Sequence, residues 1–207
     1  MNQKNSIGLS SCFMDLDDPL ELFKSWMAEA EIKEIRDPTA LSLATVNKEG
    51  QPNVRMVLLK GVNSKGFVFY TNLNSSKSLD LRENPKAAMC FHWKSFNRQI
   101  RILGKITQVD DQAADHYFNT RSYESKISAW ASNQSHIMKD RSELLKNIED
   151  YKNKYNNKKN VPRPPHWSGW CLGPSSIEFW LHKDNRIHER LRYNMIDKGW
   201  TKEILYP

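Results

Sequence analysis

The apolar positions of the chain first recur at helical spacing and then change to the shorter runs typical of strands. The helical stretch is predicted to extend from Asp18 to Ile35, with Asp18 as its cap and Pro19 in its first turn. Its apolar stripe is formed by Leu20, Phe23, Met27 and Ala30. One face of this helix is therefore expected to pack on a core.

Downstream, runs rich in Val, Ile, Leu and Phe alternate with turn residues, a pattern typical of β-strands. The first five predicted strands are Ala40–Val46, Asn53–Lys60, Gly66–Thr71, Lys86–Trp93 and Arg98–Val109. Connections of about four to six residues between the first strands favour antiparallel hairpins, because parallel crossovers need a dozen or more. Three more strands are predicted at Ser176–His182, Arg186–Tyr193 and Trp200–Leu205.

Helical spacing interrupts and separates these strands. The further predicted helices are Ser75–Arg82, Asp110–Ser132 and Asp140–Tyr155. The proline-rich segment 161–165 is interpreted as a stiff connector, because too little chain follows it to form a second core. We therefore expect a mainly β protein with flanking helices, in which residues 18–207 form a single domain around a barrel-like sheet.

Residues 1–17 are predicted to be a flexible tail. Of the 207 residues only three are cysteines, at Cys12, Cys90 and Cys171, and their separation argues against a disulfide framework and for a reducing, cytoplasmic location. No stretch approaches the roughly 18 apolar residues of a membrane span, so no membrane association is expected.

The formal net charge of +7 favours an anionic partner, such as nucleic acid, an anionic membrane surface or a phosphorylated small molecule. With eight glycines the chain has neither a Gly-x-Gly-x-x-Gly motif nor a P-loop, since Phe67-Val68 follow where the P-loop needs Lys and Ser/Thr. No motif for a metal site is present either. A bound phosphate must then be held largely by Arg, Lys and hydroxyl side chains.

The first candidate constellation is Arg186, His188 and Arg190. On a strand these three side chains would point to one face. An anion-binding or catalytic wall and an exposed basic edge that discourages aggregation explain this pattern about equally well.

A second constellation is Tyr117, Arg121 and Ser125, at positions i, i+4 and i+8. A continuous helix would place the phenol, the guanidinium and the hydroxyl on one side, where they suit a phosphate. From spacing alone, an ordinary solvated helix face is the favoured interpretation.

Two further groups lie near the predicted second strand and the short helix. Arg55 and Lys60 bracket an apolar strand, and would face opposite ways unless Lys60 lies at its frayed end. Ser75, Ser76 and Lys77 begin a helix, whose free N–H groups attract anions, although simple capping by Ser75 is a strong alternative.

These residues and others resemble the pyridoxamine 5′-phosphate oxidase family across nearly the whole chain. The matching motifs are, in order, Arg55-Met56-Val57-Leu58-Leu59-Lys60, Phe69-Tyr70-Thr71-Asn72, Asn97-Arg98-Gln99, Tyr117-Phe118, Ser132-Asn133-Gln134-Ser135, Glu178-Phe179-Trp180 and Arg186-Ile187-His188-Glu189-Arg190. Each motif alone is weak, but so many in order are highly specific.

The resemblance implies a homodimeric split β-barrel that binds FMN at the subunit interface. It implies oxidation of pyridoxamine or pyridoxine 5′-phosphate to pyridoxal 5′-phosphate by O2, with H2O2 as product. The implied cofactor-binding residues are Arg55, Met56, Val57, Leu58, Leu59, Lys60, Tyr70, Thr71, Lys77, Gln99, Gln134, Ser135, Trp180 and Arg190. The implied clamp for the substrate phosphate is Lys60, Tyr117, Arg121 and Ser125. Arg186 and His188 would hold the pyridine ring and are the implied catalytic residues.

The chain departs from the family pattern at two places. Ser76 stands where the family usually has an Arg near the cofactor phosphate, and the amino-terminal tail lacks the Arg and Tyr that help cover the substrate in relatives. Two alternative functions are a non-catalytic FMN- or pyridoxal-phosphate-binding module and a split-barrel flavin reductase. Nucleic-acid binding is not expected, because it needs a long basic stripe interleaved with exposed aromatics.

Overall fold

The structure is a computed structural model that describes residues 4–156 and 160–207. Its helices are α1 (Pro19–Lys33), α2 (Ser76–Glu83), α3 (Asp111–Thr120), α4 (Tyr123–Ala131) and α5 (Arg141–Lys154). Its strands are β1 (Ala40–Val46), β2 (Pro52–Leu58), β3 (Gly61–Asn63), β4 (Gly66–Asn72), β5 (Lys86–Trp93), β6 (Arg98–Gln108), β7 (Trp167–Leu181), β8 (Glu189–Ile196) and β9 (Gly199–Leu205). In the described parts of the chain, no helix is long and apolar enough to cross a membrane.

All nine strands belong to one antiparallel sheet with the order β2-β1-β5-β6-β7-β4-β3. The long strand β7 organises this sheet. It pairs with β6 along one side, while its first part pairs with β4 and its last part with β8 on the other. β9 continues the sheet beyond β8. Because β7 changes neighbours along its length, its two ends belong to two different regions of the molecule.

Helix α1 packs its apolar face against the sheet, as the sequence predicts. Phe23 contacts Phe67 and Phe91 edge to face, with ring centroids 4.8 and 5.4 Å apart, and Trp26 contacts Phe179 at 5.2 Å. Asp18 caps the helix by accepting a hydrogen bond from the Leu20 amide. The mainly β fold with flanking helices is confirmed.

The described part of the amino-terminal segment, residues 4–17, packs on the barrel. Leu9 and Phe13 lie in the hydrophobic core, and the Trp26 indole donates to the Cys12 carbonyl at 2.7 Å. The Tyr193 hydroxyl donates to the Leu16 carbonyl at 2.8 Å. Residues 1–3 of the predicted tail lie outside the described residues, and the flexibility of this segment in solution stays a prediction.

Two predicted elements are wrong in ways that matter for the site. The helix predicted over Asp110–Ser132 is two helices, because Arg121 is extended and the Ser122 hydroxyl accepts a hydrogen bond from the Ser125 amide, which starts a new helix. The strand predicted from Arg186 begins at Glu189. Residues Asp184–Arg186 instead form a turn of 3₁₀ helix in which Arg186 has a positive φ of 61°.

Candidate functional site

The largest group of predicted site residues lines one cavity of about 480 Å³. The cavity lies where the end of β2, strand β4, the start of α2 and the α3–α4 junction meet. Its lining is Met56, Val57, Leu58, Lys60, Tyr70, Thr71, Lys77, Tyr117, Arg121, Ser125 and Gln134. We call it the phosphate cavity, because it gathers cations and hydroxyls from four separate stretches of sequence.

Lys77 is the most deeply placed cation of the phosphate cavity, with 8% of the residue exposed. Its ammonium donates to Thr71 Oγ1 at 3.0 Å, Ser75 Oγ at 2.9 Å and Gln134 Oε1 at 2.8 Å. No carboxylate pairs with it among the described residues. Burial, with a smaller contribution from Arg55, lowers the pKa of Lys77 from 10.5 to about 8. An unneutralised buried ammonium of this kind suits an anionic ligand.

The start of α2 adds backbone donors beside Lys77. Ser75 is the N-cap residue, but its hydroxyl donates to the Asn72 carbonyl instead of accepting from the helix. Simple capping by Ser75, the alternative that the sequence left open, is therefore wrong. Ser76, where the family resemblance leads us to expect an Arg, is exposed at the first position of α2.

Arg55 stands behind the phosphate cavity, in a network with polar core residues. Its guanidinium donates to Thr45 Oγ1 at 2.7 Å and lies 3.8 Å from an Asp80 carboxylate oxygen, while Thr45 donates to the same oxygen at 2.6 Å. Burial lowers the pKa of Arg55. The network holds Arg55 close enough to Lys77 for its charge to contribute to the lowered pKa of the Lys77 ammonium.

The end of β2 places Lys60 in the same cavity. The strand ends at Leu58, and the Lys60 amide donates to the Val68 carbonyl at 2.8 Å. Because Lys60 lies past the strand end, the alternation that would turn it away from the cavity does not apply. Leu59, predicted to line the cofactor, instead has its side chain in the hydrophobic core.

Tyr117, Arg121 and Ser125 come together although the predicted helix is broken between them. The Arg121 guanidinium donates to the Ser125 carbonyl at 3.1 Å, and all three residues line the phosphate cavity. Burial raises the pKa of the Tyr117 phenol and lowers the pKa of Arg121. The Tyr117 phenol therefore stays protonated at neutral pH and can donate a hydrogen bond. The solvated-face interpretation favoured by spacing alone is wrong for these three residues.

Aromatic rings form one wall of the cavity. Tyr70 stacks on Tyr117 with centroids 4.0 Å apart and on Trp167 at 5.2 Å. Tyr70 fits because residue 169 is glycine: a Cβ there would lie 2.7 Å from a ring carbon of Tyr70. Trp167 and Gly169 are not predicted from the sequence, because a strand buried on both faces shows no alternation.

Gln134 and Ser135 lie in the loop after α4. Gln134 Oε1 accepts hydrogen bonds from both Lys77 and Thr71, and this ties the loop to the cavity. Ser135 has a positive φ of 71° and is exposed next to Gln134.

The remaining predicted residues form a second group at the far end of β7. Gln99 pairs with Trp180, and Trp180 pairs with Arg190, so the three form one row across β6, β7 and β8. The Arg190 guanidinium donates to the buried carboxylate of Glu178 at 3.0 Å and to the Tyr206 carbonyl at 2.9 Å. We call the group formed by these three residues together with Arg186 and His188 the tryptophan row.

Arg186 and His188 lie in the loop between β7 and β8. The predicted strand alternation of Arg186, His188 and Arg190 is wrong, because only Arg190 is on the strand. The His188 ring nevertheless packs 4.7 Å from Trp180, and its Nδ1 accepts from the Lys183 amide at 3.2 Å. Trp180, Arg186 and His188 line a second cavity of about 450 Å³. The positive φ of Arg186 holds its side chain out from the turn, exposed and without a carboxylate partner in the described residues.

The phosphate cavity and the tryptophan row do not meet within one chain. Thr71 of the phosphate cavity pairs with Ser168, whereas Gln99 of the row pairs with Trp180, twelve positions further along β7. At about 3.3 Å per residue this is a contour length of roughly 40 Å. The two groups of predicted site residues therefore line separate cavities.

Comparison with known proteins gives a consistent result for sequence and structure. Residues 28–155 match the family described as pyridoxamine 5′-phosphate oxidase, and residues 167–207 match the pyridoxine 5′-phosphate oxidase C-terminal dimerisation region. A pyridoxine/pyridoxamine 5′-phosphate oxidase of Pelagibacter ubique is 57% identical over 208 residues, which cover 100% of each chain.

Two solved structures have a similar fold. PhzG from Burkholderia lata 383, in complex with tetrahydrophenazine-1-carboxylic acid, has a TM-score of 0.89 and 29% identity, over 95% of this chain and 96% of that chain. An FMN-binding protein from Nostoc punctiforme has a TM-score of 0.71 over 89% of this chain and 97% of that chain; at 19% identity it bears on the fold alone. The split β-barrel is confirmed, and the chain belongs to the pyridoxamine 5′-phosphate oxidase family.

Proposed function

We propose that the protein binds FMN and oxidises pyridoxamine 5′-phosphate and pyridoxine 5′-phosphate to pyridoxal 5′-phosphate, with O2 as acceptor and H2O2 as product. This would place it in vitamin B6 biosynthesis and salvage. The observation that carries the proposal is the phosphate cavity, in which Lys77 and Arg121 present positive charge with no carboxylate partner in the described residues. FMN, when bound, supplies the redox chemistry, and the protein supplies position and electrostatics.

The residues present fit a cofactor that carries a phosphate. The buried ammonium of Lys77, the Thr71 hydroxyl and the uncapped start of α2 are donors that lie together, with Arg55 behind them. Charge-assisted hydrogen bonds of this kind are the strong ones, and helix starts favour anions. We assign the cofactor phosphate to this end of the cavity.

The substrate phosphate is assigned to Lys60, Tyr117, Arg121 and Ser125. These residues offer two cations and two hydroxyls in the same cavity. A phosphate held there, away from the reacting carbon, contributes binding energy that orients the substrate. Arg186 and His188 are proposed to hold the pyridine ring, because the loop between β7 and β8 presents both side chains beside Trp180.

We propose that a second copy of the chain brings the two half-sites together, so that each site combines one chain's phosphate cavity with its partner's tryptophan row. The C-terminal region matches a dimerisation region, and it carries Trp180, Arg186 and Arg190. The outer face of the sheet is apolar and uncovered near β2, where Val54 is 70% and Met56 is 62% exposed. This face continues into an apolar hollow of about 730 Å³ that contains Leu103 and Ser175. An apolar face that runs from one half-site toward the other suits the interface of a two-fold dimer.

We also propose a cytoplasmic location. Its support is the three free thiols of Cys12, Cys90 and Cys171, which are typical of a reducing compartment.

The first experiment is a visible spectrum of the purified protein with and without substrate. We expect a bound-flavin spectrum that bleaches with pyridoxine 5′-phosphate under nitrogen and returns in air. A protein that takes up no FMN would contradict the proposal. One that takes up FMN but is not bleached by either phosphorylated vitamer would support the binding-module alternative.

A second experiment tests the shared site. Lys77→Met and Arg186→Ala disable different half-sites. At an FMN concentration well below the raised dissociation constant of the Lys77→Met variant, we expect each variant alone to be nearly inactive. After subunit exchange, a mixed dimer would have one site with both changes and one intact site, so activity should recover to about a quarter of the wild-type level. If mixing restores nothing while exchange is shown by a tagged subunit, both residues act within one chain.

The alternative of a flavin reductase with another substrate is tested by comparing a substrate that carries a phosphate group with one that does not. PhzG was solved in complex with tetrahydrophenazine-1-carboxylic acid, which carries a carboxylate and no phosphate. The clamp predicts that unphosphorylated pyridoxine is a much poorer substrate than its phosphate. Equal kcat/KM for the two would favour the alternative.

A further inference from the structure

Arg121 is held in an unusual way for a half-buried arginine of this protein. Its side chain makes one hydrogen bond, to the Ser125 carbonyl, and has no carboxylate partner in the described parts of the chain. By contrast, Arg163 is paired with Asp111 and Asp115. Something other than a counter-charge must therefore orient the Arg121 guanidinium.

The Arg121 guanidinium contacts the indole of Trp167 instead of a carboxylate. The guanidinium carbon of Arg121 lies 4.7 Å from the centre of the Trp167 ring and 5.8 Å from that of Phe118. An aromatic face attracts a cation through its quadrupole but accepts no strong hydrogen bond. It therefore fixes the guanidinium while leaving its N–H groups and its full charge available to an anion.

Trp167 is itself rigidly placed. The residue is 4% exposed, starts strand β7 and contacts the edge of Phe118, with ring centroids 5.0 Å apart. Tyr70 stacks on it from β4, at an interplanar angle of 7°. The position of the indole is thus determined by two elements, α3 and β4, that also form the phosphate cavity.

We propose that Trp167 is a positioning residue for the substrate-phosphate clamp: it orients Arg121 by a cation–π contact without neutralising it. The inference rests on the proposed function and goes beyond it, because Trp167 does not line the phosphate cavity. Its contribution is to affinity for the phosphate group, and the oxidation step at the pyridine ring does not depend on it directly.

The test is a double-mutant cycle between Trp167 and Arg121, using holoenzyme and two probes. The two constants measured with these probes are KM for pyridoxine 5′-phosphate and the inhibition constant of inorganic phosphate. Trp167→Leu should raise both constants about tenfold, with kcat changed less than about threefold, and Trp167→Phe should restore most of the loss because it keeps a ring. In an Arg121→Ala background, Trp167→Leu should raise neither constant further. Trp130→Leu is the matched control, since that indole donates to the Pro162 carbonyl outside the cavity, and it should change neither constant.

Equal effects of Trp167→Leu in the wild-type and Arg121→Ala backgrounds would overturn the inference, as would a fall in kcat in proportion to affinity. If the Leu variant does not fold, the same cycle with Trp167→Phe decides: a small loss that vanishes with Arg121→Ala supports the inference, and a loss that persists contradicts it. A wild-type enzyme that oxidises neither phosphorylated vitamer contradicts the proposed function itself, so the two failures are distinguishable.

Discussion

The phosphate cavity and the tryptophan row differ in whether their cations are paired with carboxylates. In the phosphate cavity, Lys60, Lys77 and Arg121 have no carboxylate partner among the described residues. On the tryptophan row, Arg190 is paired with the buried Glu178, and the neighbouring Arg192 is paired with Glu203. Both regions are basic, yet only one of them leaves its charge unneutralised in a partly buried cavity.

The difference separates cations that bind from cations that hold the fold. Burying a charge without a counter-charge is costly. An unpaired buried cation such as Lys77 therefore indicates an anionic ligand that neutralises it. A paired guanidinium such as Arg190 has its charge neutralised by a carboxylate and is fixed in orientation. Net charge alone therefore locates no site here, whereas the pairing of the charges does.

Arg186 is the exception on the tryptophan row, because it is exposed and has no carboxylate partner in the described residues. Its substitution gives the largest predicted effect on activity. Arg186→Ala should reduce turnover about 100-fold, equivalent to ~2.7 kcal/mol, since a group proposed to touch the substrate is lost. FMN content should stay within about twofold of wild type. Steady-state kinetics and the flavin absorbance of the purified variant check both expectations.

Arg192→Ala is the matched control, because Arg192 lies on the adjacent strand and is paired with the exposed Glu203. It should change turnover little. If Arg186→Ala keeps its activity, or if both variants lose activity equally, an unpaired cation has no special role on this row.

Lys77→Met should have the next largest effect, on cofactor affinity. The loss of one charged hydrogen-bond donor costs about 1.5–3 kcal/mol, so the FMN dissociation constant should rise roughly 10- to 150-fold. Titration of the apo-protein, followed by flavin fluorescence, measures it. An unchanged dissociation constant would show that the buried ammonium is structural.

The pKa of Lys77, about 8, adds a pH dependence to cofactor binding. In the apo-protein this pKa is below its unfolded value, so the cost of burying the charge is fully present below about pH 8 and stability rises with pH from there toward 10.5. A bound phosphate dianion favours the protonated amine and raises its pKa. FMN affinity should therefore fall about tenfold between pH 7 and 9, where the FMN phosphate is already a dianion and Lys77 loses its proton. Lys77→Arg, which stays charged throughout, should abolish this fall.

Ser76→Arg sharpens the comparison by adding a cation to the phosphate cavity. Ser76 is exposed at the start of α2, where the family resemblance leads us to expect an Arg. FMN should bind more tightly by about 1.5 kcal/mol, at the low end for a charged hydrogen bond because the position is exposed to solvent. Equal FMN affinities of wild type and variant in the same titration would contradict this expectation. Arg82→Ala, at the opposite end of α2, serves as the control for a change of charge.

The sequence predicts the fold better than it predicts how the site is assembled. Strands β1 and β5 are predicted to the residue, because each has one buried face and clear turn signals. The break at Arg121 and the turn at Arg186 are missed, because a serine cap and a positive φ override the local pattern. The family resemblance names the residues of both half-sites, but the separation along β7 follows from strand register, which no short motif contains.

Gly169→Ala gives the smallest expected effect and asks whether ring packing, besides charge, defines the phosphate cavity. An added Cβ would lie 2.7 and 2.8 Å from two ring carbons of Tyr70, so the ring must shift away from its stack with Tyr117. Because Tyr70 is only half-buried and can yield, the cost should be about 1 kcal/mol, at the low end for overpacking. Because Tyr70 also lines the phosphate cavity, its displacement should weaken FMN binding by about fivefold at most, with little change in turnover of the loaded enzyme. Gly61→Ala, where a Cβ meets nothing within 4 Å, controls for the substitution itself. If the two alanine variants bind FMN equally well, the cavity is defined by its unpaired cations and not by its aromatic wall.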